Sequence, residues 1–109
     1  MAYEKLGDVA VSAGKLEDAR GWFDKALAVA KALAAADPSN AGWQRDLCTT
    51  LAKIALVARD STEAMRHLDE ARVIYGRLQR DGTFRGDVQF AQIGTALDQL
   101  ARIHPAPRR

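Results

Sequence analysis

Residues 3–33 read YEKLGDVAVSAGKLEDARGWFDKALAVAKAL, two amphipathic patterns hinged at Gly14. In the first, Leu6, Val9, Ala10 and Ala13 recur at the spacing of one helix face. In the second, Ala19, Phe23, Ala26, Ala30 and Leu33 do the same. Small residues at Gly7, Ala10, Ala19 and Ala26 let two helix backbones approach, and Tyr3, Leu6 and Phe23 fill the space beside them. A hairpin of this kind leaves one apolar side bare. It requires a neighbour like itself.

The rest of the chain supplies one. Glu17 and Asp18 open the second helix, where the helix dipole favours negative charge, and it runs to about Ala36. Arg20, with Glu17 three residues before and Asp24 four after, reads as part of an exposed, charge-laced face. Asp37-Pro38-Ser39-Asn40 then breaks the helix, with Ser39 or Asn40 placed to cap the next. A third helix is expected from about Ala41 to Ala58, with Leu47, Leu51, Ile54 and Ala55 on one face. Asp60, with Glu63 three residues on, resembles a capping box and opens a fourth, which carries Ala64, Leu68, Ala71, Tyr75 and Leu78 and stops at Gly82. A fifth begins between Thr83 and Asp87, carries Phe90, Ile93, Gly94, Leu97 and Leu100, and closes at Pro105.

Laying Ala19 on Ala64, an offset of 45 residues, puts Phe23 on Leu68, Ala26 on Ala71 and Leu33 on Leu78. At an offset of 48 the preceding helices align, Leu6 on Ile54, Val9 on Val57 and Ala10 on Ala58. The fifth helix restarts the first pattern: Phe90, Ile93, Gly94 and Leu97 echo Tyr3, Leu6, Gly7 and Ala10. An ordered set of large and small positions that recurs in this way points to a helical solenoid.

The positions Tyr3, Leu6-Gly7, Ala10, Gly14, Ala19, Phe23 and Ala26 resemble a tetratricopeptide repeat. Asp37-Pro38-Ser39-Asn40-Ala41-Gly42-Trp43-Gln44-Arg45-Asp46-Leu47 is similar to the segment before each first helix in a bacterial, long-helix variety of that family. The chain departs from the pattern where Lys31 stands for the usual proline, and where Ile54-Ala55 and Leu68 replace Leu-Gly and Phe. The expected architecture is all-α, a right-handed solenoid of two hairpins and a C-terminal capping helix. It forms one domain over residues 1–104, with repeats at 2–36 and 40–81, a terminal helix at 84–104 and a disordered tail at 105–109.

What the resemblance implies is a concave groove, lined by the first helix of each repeat, that binds a partner peptide or helix. The family pattern places Glu4, Asp8, Val11 and Ser12 there, then Ala52, Lys53, Leu56 and Arg59, then Ala91, Thr95 and Asp98. Family members that clamp a C-terminal carboxylate carry Lys and Asn where Glu4 and Asp8 stand, so that ligand is not expected. Gln89, Gln92, Asp98, Gln99 and Arg102 are expected to turn outward and cap the C-terminal end. Met1, Tyr3, Leu6 and Val9 have no preceding helix to cover them and are candidates for self-association into a homodimer. A further reading makes the chain one piece of a longer bacterial multi-repeat signalling protein.

Composition narrows the other functions. Hydrophobic residues make up 48% and aromatics 6%, as Ala-rich helix packing requires, and the net charge is +2. Arg59, Arg66, Arg72, Arg77, Arg80 and Arg85 would form a phosphate-binding stripe only if segregated on one face, but Asp60, Glu63, Asp69, Glu70 and Asp81 interleave with them, so nucleic acid is not expected. His67 between Glu63 and Glu70 lacks the second imidazole or thiolate of a metal site and reads instead as a solvated face with ordinary ion pairs. No triad, phosphate loop or paired-carboxylate motif marks an enzyme, and no cofactor is implied. Trp43 reads as packing at the start of the third helix, while Trp22 stands equally as packing or interface. The lone Cys48, beside Leu47 and Leu51, reads as a buried thiol of a reducing compartment, and with no leader pattern at Met1 and no membrane span the expected location is cytoplasmic.

Overall fold

The computed structural model describes residues 2–104. Its helices are α1 (Ala2–Ser12), α2 (Leu16–Ala36), α3 (Ala41–Leu56), α4 (Ser61–Asp81) and α5 (Val88–Ile103), with no strand among the described residues. Met1 and the expected tail at 105–109 lie outside them.

Each break has its own chemistry. Gly14 and Gly82 sit at φ of 75° and 71°, the left-handed region where a Cβ is strained. Asn40 caps α3 by accepting from the Trp43 amide at 3.0 Å, and Asp60 caps α4 by accepting from Glu63 at 2.8 Å. A third cap, unforeseen in the sequence, is Asp87, which accepts from Phe90 at 2.9 Å and starts α5. Helix α3 ends at Leu56, two residues before the expected Ala58. There the Val57 carbonyl accepts a hydrogen bond from Arg20 Nε across the helix interface. Arg20 is therefore not on an open charged face. It pairs with Glu17, makes no ion pair with Asp24, and satisfies one of the orphan carbonyls at the end of α3.

Helices α1 and α2 pair antiparallel, with Gly7 against the Phe23 ring and Tyr3 stacked on Trp22 at 6.0 Å. The second hairpin, α3 with α4, packs on the first through α2. The expected equivalences hold in the core: Phe23 and Leu68, Ala19 and Ala64, and Ala26 and Ala71 are all buried. Cys48 is buried too, its thiol donating to the Ala71 carbonyl at 3.3 Å, and burial pushes its pKa up to about 12. It stays a protonated packing group. Trp43 is half-buried at the start of α3, and Trp22 is half-buried beneath Tyr3 with the Lys25 ammonium 4.9 Å from its ring centre.

Helix α5 lies on both α3 and α4. An aromatic stack fixes it: Phe90 lies 4.3 Å from Tyr75 and 5.2 Å from Phe84, and the Tyr75 hydroxyl donates to the Phe90 carbonyl at 3.1 Å. At its other end His104 Nδ1 is 3.1 Å from Ser61 Oγ. Here the analogy with α1 weakens. Gly7 is pressed by a side chain from the helix that follows it, whereas Gly94 is pressed by Tyr75, from the helix that precedes it. That contact sets the rotation of α5, and with it which side chains reach the trough described below.

Candidate functional site

Helices α1, α3 and α5 together enclose a trough of about 710 Å³ to which α2 and α4 contribute no side chain. Its apolar lining is Ala52 and Leu56 from α3 with Ile93, Ala96, Leu100 and Ile103 from α5. Leu56 and Ile103 are exposed although large and apolar. Along the α5 side stand three amides, Gln89, Gln92 and Gln99; Arg45, Asp46 and Thr49 complete the α3 side.

Lys53 ties α1 to α3 at the trough's edge. Its ammonium lies 2.7 Å from Glu4 and 2.9 Å from Asp8. Partial burial pulls the Lys53 pKa down, but the hydrogen bonds to Glu4 and then Asp8 outweigh it and leave the ammonium above the usual lysine value. A raised lysine pKa contributes stability that is complete below the unfolded value and is lost as pH rises through the folded one. The bridge should therefore hold through neutral pH and fail only above about pH 10. Because the groups are partly exposed, its contribution is at most about 1 kcal/mol. Thermal melts from neutral to alkaline pH should show wild type and Lys53→Met converging at the alkaline end; a gap that stays constant with pH would show that the charge is not what Lys53 contributes. Arg45 is engaged too, 3.6 Å from Asp46 and 5.1 Å from the centre of the Phe84 ring.

Of the residues expected in the groove, Glu4, Ala52, Lys53 and Leu56 line the trough, and Asp8 joins its edge through Lys53. Val11 is half-buried against the cluster around Phe23, and Ser12 is exposed at the end of α1; neither lines the trough. Arg59 lies outside it and pairs with Glu17 at 2.8 Å, a hydrogen bond that holds the exposed Glu17 carboxyl below its ordinary pKa. Ala91, Thr95 and Asp98 are on a different side of α5. They line a separate hollow of about 410 Å³ with Arg72, Tyr75, Gly76 and Gln79 of α4. Conversely, Gln89, Gln92 and Gln99, expected as an outer cap, line the trough. The cause is the rotation of α5 imposed by Tyr75 against Gly94. A signal was present: Gln89, Gln92, Ala96, Gln99 and Ile103 recur at helical spacing beside the buried Leu100.

The chain matches no family model, no curated protein and no solved structure in the three comparisons made. Among the described residues no three His, Cys, Asp or Glu side chains cluster as a metal site would need, and no helix is long and apolar enough to cross a membrane. His67 is half-buried; burial first and Arg66 next lower its pKa, so it is neutral at pH 7, and it forms no ion pair among the described residues.

Proposed function

We propose that the chain is a non-catalytic protein-interaction module of tetratricopeptide type, a short right-handed solenoid that binds a peptide or helix of a protein partner in the α1–α3–α5 trough. The observation that carries this reading is the trough's composition. Exposed aliphatic side chains, Leu56 and Ile103, stand where a partner's apolar side chains can bury them. The adjoining glutamines supply neutral donors and acceptors for a partner's polar groups. The nearby charges are already engaged, Lys53 by two carboxylates and Arg45 by Asp46 and Phe84, which leaves apolar and amide contacts to select the ligand. The reading includes a cytoplasmic location, with no cofactor and no nucleic acid.

The test is a displayed random-peptide library selected on the intact chain. Selected peptides should lose at least about tenfold in affinity, about 1.4 kcal/mol, to Leu56→Asp or Ile103→Asp. Both positions are exposed, so neither change should unfold the chain. Ala91→Arg, on the other side of α5, should leave binding unchanged. Peptides indifferent to both aspartates would place the binding surface elsewhere.

A further inference from the structure

The face of α1 turned away from the trough is bare. Ala2, Leu6, Val9 and, just past the helix end, Ala13 fall on one line, at the alternating spacing of four and three residues that forms a two-helix seam. The second hairpin shows what such a face is for. Ile54 and Val57, the counterparts of Leu6 and Val9, are each 3% exposed and join Ala19 and Phe23 of α2 in one apolar cluster. Leu6 and Val9 are 43% and 66% exposed. The same contrast holds for Tyr3 against its counterpart Leu51, and on α2 for Val29 against Ile74: exposed in the first hairpin, buried in the second. This side of the molecule has the composition of a helix-packing surface and is exposed.

We propose that this face is covered by α1 of a second copy, paired antiparallel across a two-fold axis. The order along the seam is small, large, large, small, so reversing the partner sets Leu6 beside Val9 of the other copy and Ala2 beside its Ala13. That is the self-complementarity an isologous contact requires. The charges do not oppose it. Lys5 and Ser12 flank one edge of the seam, and reversal brings Lys5 towards the other copy's Ser12 and away from its Lys5. On the other edge the Lys25 ammonium lies over the Tyr3 and Trp22 rings. Head-to-tail stacking finds no equivalent match. The outward side of α5 at the opposite end presents Val88, Thr95 and Arg102 with Asp98 beside them, and a growing stack would bury a carboxylate and a guanidinium against Leu6 and Val9. Tyr3, Leu6 and Val9 of α1 with Val29 of α2 together expose on the order of 300 Å² per copy, the size of a functional surface patch. These side chains alone fall short of the roughly 1,200 Å² in total that a standard interface buries, so the residues flanking the seam must join the contact and the expected association is weak.

The trough opens on the other side of α1, where Glu4 stands, so pairing leaves both troughs free and presents them as a bivalent unit. The proposal does not rest on the trough's ligand. Sedimentation equilibrium of the full chain across micromolar concentrations should show a monomer–dimer equilibrium. Val9→Glu should weaken it at least about tenfold, because each dimer would bury two carboxylates. Circular dichroism and the melting temperature of the dilute protein should not change, since Val9 supports nothing within one copy. In a glutathione buffer, a mixture of Leu6→Cys and Val9→Cys chains should form the mixed disulfide in preference to either symmetric one; the buried Cys48 does not compete. A chain monomeric at every concentration overturns the proposal, even if it binds an apolar reporter dye through Val9, for then the face belongs to a different partner helix. A dimer indifferent to Val9→Glu, or symmetric disulfides in excess of the mixed one, overturns it as well.

Discussion

Phe23→Ala should lower the unfolding free energy by about 3–5 kcal/mol, the range for removing a buried aromatic ring. Phe23 is 1% exposed and holds three helices at once. Its ring lies over Gly7 of α1, its backbone belongs to α2, and Ile54 of α3 and Val57 just past its end join it in one cluster with Ala10 and Ala19. The small residues that admit the ring cannot replace it. Gly7 has no side chain and the two alanines have one carbon each, so the cavity collapses little and the effect should fall towards the upper end. A domain of this size has a total stability of about 5–15 kcal/mol, which makes this a large fraction. Leu68→Ala at the equivalent place in the second hairpin should cost about 2–5 kcal/mol. Urea denaturation followed by circular dichroism measures both. If the Phe23→Ala midpoint stayed near that of wild type, the ring would not be what joins the two hairpins.

The parts of this structure that were legible in the sequence are those with local causes. Gly14 and Gly82 mark turns because their backbone conformations exclude a Cβ, and Asn40 and Asp60 mark helix starts because a short polar side chain reaches an amide three residues on. The buried apolar positions of α2, α3 and α4 were legible because burial follows the helical period, but of the face expected on α1 only Ala10 is buried, while Leu6, Val9 and Ala13 are exposed. What sequence reasoning missed depends on contacts between distant segments. Arg20 looked like a surface charge because Glu17 and Asp24 surround it in sequence; its reach to the Val57 carbonyl, 37 residues away, has no local signature. The rotation of α5 was misjudged for a related reason. Gly94 matched Gly7 as a small residue in a similar pattern, but a small residue does not declare which neighbour it admits. That neighbour is Tyr75, from the helix before, and the trough-lining row passes from Ala91, Thr95 and Asp98 to Gln89, Gln92 and Gln99.

The close approach at Gly7 leads to the second large effect, one whose sign opposes the rule for isolated helices. In an open helix interior, Gly→Ala stabilises by about 0.5–1 kcal/mol, because alanine loses less backbone freedom on folding. Gly21, inside α2, meets that condition: a Cβ added there has nothing within 4 Å. Gly21→Ala should therefore raise the denaturation midpoint. At Gly7 the added Cβ would lie under 3.0 Å from three atoms of the Phe23 ring. The ring is enclosed by Ala10, Ala19, Ile54 and Val57 and has no open side to move into, so α1 must shift outward as a body. Overpacking of this kind costs about 1–3 kcal/mol, more than the helix gains from alanine, and the net effect should be destabilising. Moving α1 also lengthens the reach from Lys53 to Glu4 and Asp8, which adds to the loss. The cause can be isolated by shrinking the opposing group. In the Gly7→Ala/Phe23→Leu pair the smaller leucine leaves space for the new methyl, so the double variant should be more stable than the sum of the single effects predicts, by about 0.5–3 kcal/mol. Additive losses would show that Gly7 is needed for some reason other than the ring. A Gly7→Ala chain as stable as Gly21→Ala would show that α1 does not approach α2 as closely as this fold requires.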